Sequence, residues 1–328
     1  LNKQLNLENL TKIESTKTDY EYNFRNNKEI NQLGRFESNK FIFNSGKHII
    51  NKNLIFPKNI DVQINKNTEI ILSPNISVII YSSLYIYGTP ENKIYIKSIN
   101  NEKAFGSFAA IGGSDNEVLI SNLKIQKPSE ITINGKYLSG GMSLYNFDNI
   151  NIKNLEIEDS QGEDGLNIKY TKNCNLENIF IKNSKYDAID IDNCKTIGKN
   201  IIIQNSNISD KNGDGIDFYY TKAYLENLEI SGFQDKGLSV GENSSVSILN
   251  SLIYNNNIGS AVKDDSCLFI LDGNKFINND VDISIYKKKK NYGSGNLIFS
   301  KKIQDLVIKK DKYAKIFIND NNFQCLDN

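Results

Sequence analysis

One short pattern keeps returning in this sequence. Asn154-Leu155-Glu156-Ile157 comes back as Asn178-Ile179-Phe180-Ile181 and Asn200-Ile201-Ile202-Ile203. It returns again as Asn227-Leu228-Glu229-Ile230, Asn250-Ser251-Leu252-Ile253 and Asn274-Lys275-Phe276-Ile277, in steps of 24, 22, 27, 23 and 24 residues. A unit this short cannot bury its own apolar face, so successive units must stack on one another. A second line repeats in step: Asp164-Gly165-Leu166-Asn167-Ile168-Lys169, then Asp187-Ala188-Ile189-Asp190-Ile191-Asp192, Asp214-Gly215-Ile216-Asp217-Phe218-Tyr219 and Lys236-Gly237-Leu238-Ser239-Val240-Gly241. Weaker copies follow at residues 259–264 and 282–287. Alternate apolar residues point inward on a strand and those between point out. The pattern predicts an all-β chain: a single-stranded right-handed parallel β-helix, a solenoid with N- and C-terminal capping segments.

The expected boundaries are an N-terminal extension or cap over residues 1–45, the β-helix over 46–300 and a C-terminal cap or tail over 301–328. The gap from Asn122 to Asn154 is longer than the later period. A loop should therefore leave the coil near residues 133–141, and long solenoid loops commonly wall a binding groove. The leading asparagines are expected to form a structural ladder, their amides bonding from coil to coil at a turn.

The 39 basic residues balance the 39 acidic ones. No bulk charge drives the chain toward nucleic acid or a membrane surface, and no apolar run reaches 18 residues. The chain starts at Leu1 without a signal-like segment, so a removed leader, an upstream domain or a surface complex fits. Cys174, Cys194, Cys267 and Cys325 lack zinc-type spacing. Cys174 and Cys194 fall about three places out of register on neighbouring coils, roughly 10 Å at strand rise, too far for a disulfide. Buried free thiols are the expectation for the cysteines.

Equivalent positions on successive coils lie ~4.8 Å apart, so the outward columns read as a surface. One is Asn167, Asp190, Asp217, Ser239. The next is Lys169, Asp192, Tyr219, Gly241, Lys263, Tyr286, and beyond it lie Glu242, Asp264 and Lys287. At the near edge are Asp164, Asp187, Asp214 and Lys236. Carboxylates stacked this closely repel and raise one another's pKa. Such an arrangement suits a bound cation, a held sugar or shared acid–base work. Asp before Gly also shapes turns, which offers a plain account of Asp164 and Asp214. Asp190 and Asp217 lie mid-strand, where Asp is disfavoured. The candidates are Asp190, Asp217, Asp214 and Lys236 for catalysis; Asn167, Lys169, Asp187, Tyr219, Glu242, Lys263 and Tyr286 for substrate; and Asp164, Asp192 and Asp264 for a metal, calcium being the candidate ion. Four consecutive lysines, Lys287 to Lys290, are either a solvated turn or a contact for an anionic ligand.

These residues resemble the pectin-lyase-like right-handed β-helix superfamily of polysaccharide lyases, hydrolases and epimerases. The order Asp187-Ala188-Ile189-Asp190, Gly213-Asp214-Gly215-Ile216-Asp217, Lys236-Gly237-Leu238-Ser239-Val240-Gly241 is similar to polygalacturonase-type hydrolases. Those enzymes carry a second aspartate where Gly215 stands, a histidine where Lys236 stands, and an Arg-x-Lys that is missing here. A closer likeness is to secreted bacterial β-helix modules with DGLN, DAID, DKGxSVGE and AVKD segments, some attached to spore-coat-kinase-like domains. Asp164 to Asn167, Asp187 to Asp190, Asp235 to Glu242 and Ala261 to Asp264 match them. The resemblance implies a secreted or cell-surface protein.

Two readings stay open. One is a carbohydrate-active enzyme, a lyase, epimerase or glycoside hydrolase, acting on an extracellular or cell-surface polysaccharide through an Asp/Lys/Tyr-lined face. A lyase or epimerase would use Lys236 or Lys263 with a cation on Asp190 and Asp217; a hydrolase would use a carboxylate pair. The other is a non-catalytic glycan-binding or structural surface module. A polysaccharide, neutral or anionic, is the expected partner of the enzyme; the module would bind glycan or another partner along its sheet, or serve as a rigid spacer.

Overall fold

The computed structural model describes residues 20–206, 213–301, 305–319 and 325. The expected extension over residues 1–19, and the parts of the expected C-terminal tail at 302–304, 320–324 and 326–328, lie outside the described residues. Nearly every strand pairs in parallel with the equivalent strand one coil earlier and one coil later, which produces three faces. One runs through Lys40–Phe43, Asp61–Asn65, Leu84–Tyr87 and Glu117–Gln126 and continues to Lys315–Ile318. A second starts at Gly46–Ile50, Thr68–Leu72 and Ile94–Ser98 and carries the repeated Asn-x-x-Ile pattern. The third runs through Leu54–Phe56, Val78–Ile80, Phe108–Ile111, Gly140–Tyr145, Ile216–Tyr219, Lys236–Gly241, Ile258–Lys263 and Val281–Tyr286. Between Gly140–Tyr145 and Ile216–Tyr219 this face is continued by the long strands Asp164–Lys182 and Asp187–Gln204, which turn the corner into the next face without a break.

The interior is a stack of aliphatic columns. Ile64, Ile86, Ile120, Ile152 and Leu176 follow one another through consecutive coils, and all are buried. At the N-terminal end the exposed coil is covered by residues 20–25, which are helical, and by the helix Lys28–Leu33, whose N-cap Asn27 accepts from the Glu29 and Ile30 amides. Phe24 and Ile30 close the core there, with edge-to-face contacts linking Phe24 to Phe36 and Phe56. No helix among the described residues is long and apolar enough to cross a membrane.

The asparagine ladder forms at the corner before the second face. Asn122, Asn154, Asn178, Asn200, Asn227 and Asn250 all hold φ between 50° and 58°, the left-handed region that Asn tolerates. Each amide from Asn154 to Asn227 donates to the carbonyl oxygen of the previous one at 2.9 Å. Asn274 does not belong to it. Leu252 pairs with Lys275, so Asn274 lies beside Ser251 and Gly273 (φ 75°) lies beside Asn250. Asn274 instead accepts from the Ser251 amide and donates to the Ile248 and Leu271 carbonyls.

The cysteine expectation is corrected at one pair. Cys267 and Cys325 form a disulfide with Cα atoms 6.1 Å apart, fixing residue 325 to the last coils. The long chain separation hid the pairing, because tail and coil share no period. Cys174 and Cys194 are free and buried, with Cys194 opposite Thr171.

Replacing Asn178 by alanine removes two ladder hydrogen bonds and strains a left-handed residue. The expected loss is about 1–3 kcal/mol in denaturant unfolding. Asn178→Gly relieves the backbone but not the ladder and should lose less. An alanine variant as stable as the parent would show the ladder to be incidental.

Candidate functional site

The third face carries the carboxylates. In-register pairing puts Asn167 beside Asp190, Asp190 beside Asp217 and Asp217 beside Ser239. Asp164 lies beside Asp187, and the Asp214 amide donates to Asp187 Oδ1 at 2.6 Å. The side-chain oxygens of Asp187, Asp214 and Asp217 lie within 4.8 Å of one another. Over them opens a cleft of ≈ 480 Å³, lined by Asp164, Asp187, Asp190, Asp217 and Lys169 from the coils and by Tyr137, Ser139, Tyr145 and Glu163. Tyr137 comes from the hairpin Ile131–Ile133 and Lys136–Leu138, the excursion expected from the long gap, and its hydroxyl donates to Glu163 Oε2 at 2.8 Å.

Lysines thread the carboxylates. Lys169 Nζ lies 3.1 Å from Asp190 Oδ2 and 2.8 Å from Asp192 Oδ2. Lys236 pairs with Asp214 at 2.9 Å and also with Asp235. Lys263 Nζ approaches Asp217 Oδ1 no closer than 3.7 Å. Asn167 is fully buried and donates to Asp164 Oδ2 (2.9 Å) and Asp190 Oδ2 (2.6 Å), holding the two carboxylates apart. The Asp217 side chain is 29% exposed, against 15% for Asp190 and 7% for Asp214.

Burial sets the protonation. It pushes Asp164 up to about 7 against a hydrogen bond from Ser139, and Asp214 up to about 6 against the Lys236 ammonium. Asp187 rises well above the usual carboxylate range through burial and then the Asp214 charge; Asp190 does so through burial and then Asp164. Burial works against the charge on Lys169, but Asp190 and Asp192 outweigh it and raise its pKa. Lys236 is raised likewise by Asp214 and Asp235 against its burial, so it stays an ammonium.

The remaining candidate residues divide by contact. Tyr219 lies beside Asp192 and packs edge-on against Tyr220. Glu242, Lys263 and Asp264 are buried. Glu242 pairs with Lys289 at 2.5 Å, and Asp264 Oδ1 accepts from the Lys288 and Lys289 amides. Tyr286 stands beside Lys263 and is half-buried. Asp164, Asp192 and Asp264 do not converge on a point. Among the described residues the acidic trio that does is Asp187, Asp214 and Asp217. Their all-oxygen donor set suits a hard cation such as calcium, and Asp217 Oδ1 is buried without a hydrogen-bond donor.

Sequence reasoning missed Tyr145, Ser139 and Glu163. Tyr145 lies one coil before Lys169 in the same column, so extending the column backward finds it. Ser139 and Glu163 lie where strands enter the face, outside the period.

Residues 140–298 match the family model described as "Right handed beta helix region". The chain is a right-handed parallel β-helix. No curated protein sequence matches it. Among solved structures, a mutant of the periplasmic alginate epimerase AlgG shares 10% identity, with 87% of this chain and 78% of that one covered at a TM-score of 0.39. An alginate lyase from Paenibacillus sp. str. FPU-7 shares 11%, covering 77% and 93% at 0.35, and pectate lyase Pel9A shares 12%, covering 77% and 66% at 0.27. Likenesses this distant carry no reaction or substrate across to this β-helix.

The raised carboxylates fix the sign of a pH effect. Unfolded Asp titrates near 3.9, so between about pH 4 and 7 the folded chain holds protons that the unfolded chain has released. Stability from Asp164 and Asp214 is present below that window and is lost as pH rises through it. In EDTA the melting temperature should fall from about pH 5 to 7.5, less so in Asp164→Asn, and calcium should restore it at the upper end. A melting temperature that climbs with pH in EDTA contradicts the assignment; no response to calcium removes the cation from the trio.

Proposed function

We propose that this β-helix binds a polysaccharide across its third face and cleaves a glycosidic bond by carboxylate acid–base chemistry. The observation that carries the reading is a cleft lined by Asp187 and Asp217, whose carboxylates lie within 4.8 Å of each other and of the buried Asp214. General acid–base cleavage needs one carboxyl that keeps its proton and one that has lost it. Asp187, pushed upward by burial and by Asp214, is the donor. Its Oδ1 is taken by the Asp214 amide, which leaves Oδ2 to carry the proton. Asp217, its side chain 29% exposed and Lys263 Nζ 3.7 Å away, is the partner carboxylate. Within 4.8 Å of Asp187 it leaves no room for an intervening water, so it acts as the nucleophile on the sugar, and Asp187, having given its proton to the leaving oxygen, then takes one from the water that releases the sugar. Asn167, Lys169 and Lys236 hold the neighbouring carboxylates in place. Lys236, kept charged by two aspartates, is unsuited to remove a proton as a lyase base would. A calcium ion on Asp187, Asp214 and Asp217 would need all three deprotonated, so it would compete with this chemistry rather than assist it. The Cys267–Cys325 disulfide suits an oxidising, extracytoplasmic setting.

A second reading has its own support. Asp190, Asp192, Asp214 and Asp217 each have a lysine within 4.0 Å, as in a face that balances its own charge and only binds. An assay of neutral and uronate-rich polysaccharides for new reducing ends and for 4,5-unsaturated uronate separates the readings. Hydrolysis predicts reducing ends without unsaturation, lowered about 10²–10⁴-fold in Asp187→Asn and Asp217→Asn. Unsaturated product points to a lyase instead. Silence across the panel with glycan binding retained establishes the binding module.

A further inference from the structure

The four-lysine turn is built rather than loose. Asp264, fully buried with φ 55°, accepts from the Lys288 amide at 2.7 Å and the Lys289 amide at 2.8 Å through one oxygen. Asp311 accepts from the Lys287 amide and Asp265 from the Gly293 amide. A merely solvated lysine run has no need of two carboxylates holding its own backbone and a third holding Gly293 just beyond it. Its side chains reach back to the third face: Lys289 stands 5.3 Å over the Tyr219 ring and pairs with buried Glu242, and the Tyr292 and Tyr220 hydroxyls are 3.0 Å apart. Tyr219 follows Asp217 by two residues on the same outward side of one strand, about 7 Å along it. The pinned turn is therefore the next stretch of wall beyond the carboxylate cleft.

Charge divides sharply along this wall. Lys289 is neutralised by Glu242. Lys287, Lys288 and Lys290 are exposed, and among the described residues none has a carboxylate within 4.0 Å. The cleft beside them holds Asp164, Asp187, Asp190 and Asp217 with Lys169. A polymer charged on every sugar would suit the turn and be repelled in the cleft. One that alternates would suit both.

We propose that Tyr219, Tyr220 and Tyr292, with the turn held by Asp264, form a second sugar subsite that takes an anionic unit of a glycan whose neighbouring unit, in the carboxylate cleft, is neutral. Tyr220, exposed and braced edge-on by Tyr219 under Lys289, offers the stacking face beside Tyr292, and Lys287, Lys288 and Lys290 supply charge for the substituent. Asp264 acts as a positioning residue, since it touches only the backbone of the turn. The subsite rests on the glycan reading above and adds the charge pattern of the ligand.

Titration calorimetry in EDTA tests it with four oligosaccharides: κ-carrageenan (sulfate on alternate units), hyaluronan (carboxylate on alternate units), oligogalacturonate (carboxylate on every unit) and neutral agarose. At least one alternating ligand should bind tighter than both others. The Lys287→Gln/Lys288→Gln/Lys290→Gln variant, all at exposed positions, should weaken it about tenfold or more and flatten its salt dependence, leaving agarose unchanged. Asp264→Asn should lower affinity for the same ligand, and the lysine variant keeps the test valid should that buried substitution unfold the chain. Tightest binding of oligogalacturonate, preference for agarose, or indifference to loss of the three lysines overturns the subsite while leaving a glycan-active cleft standing. No binding to any of the four overturns both.

Discussion

Parallel backbone hydrogen bonding from coil to coil is the constraint behind everything else in this molecule. It fixes the rise per coil at ~4.8 Å and confines slips to corners such as the shift between Thr171 and Cys174, because a one-residue shift along a face would turn its inward isoleucines to solvent. Once the register is set, side chains some two dozen residues apart become neighbours: Ile120 over Ile152, Asn154 over Asn178, Asp190 over Asp217. The same geometry that packs like against like in the core stacks like charges on the surface.

Those stacked charges are a cost that the rest of the face offsets. Asp164 and Asp214 are nearly buried, and burial alone would force them neutral. Lys236 on Asp214, Lys169 on Asp190 and Asp192, and the Asn167 amide between Asp164 and Asp190 recover part of that cost. They leave Asp217 the least satisfied, with Lys263 at 3.7 Å and one oxygen lacking a donor. A carboxylate among neighbours that burial pushes toward protonation, in a cleft walled by a hairpin, is what the proposed chemistry uses. It is a poor choice for stability alone.

What was legible in the sequence was whatever obeys the period. The columns through Asn167, Asp190, Asp217 and Ser239 and through Lys169, Asp192 and Tyr219 emerged from counting, because strand alternation and coil spacing leave no freedom. The hairpin bearing Tyr137 showed only as an over-long gap, which marks an excursion without saying where it folds back. Departures from the period were opaque. Asn274 looks like a ladder residue until Gly273 takes the left-handed corner one place earlier. Cys325 finds Cys267 through a tail that repeats nothing. Burial was also hidden: Asn167 and Lys263 occupy outward positions, yet neighbouring side chains and turns cover them.

The central claim is that winding forces the aspartates of three coils into one proton-sharing group. Carbon-13 titration of the aspartate carboxyls reads this directly, with Asp164, Asp187, Asp190, Asp214 and Asp217 assigned by single Asn substitutions. The account predicts that Asp164 and Asp214 titrate near 7 and 6, and that Asp214→Asn moves the Asp187 midpoint downward by removing the adjacent charge. Independent titrations of Asp164, Asp187, Asp190 and Asp214 close to 4, unmoved by substitution of their neighbours, would contradict it.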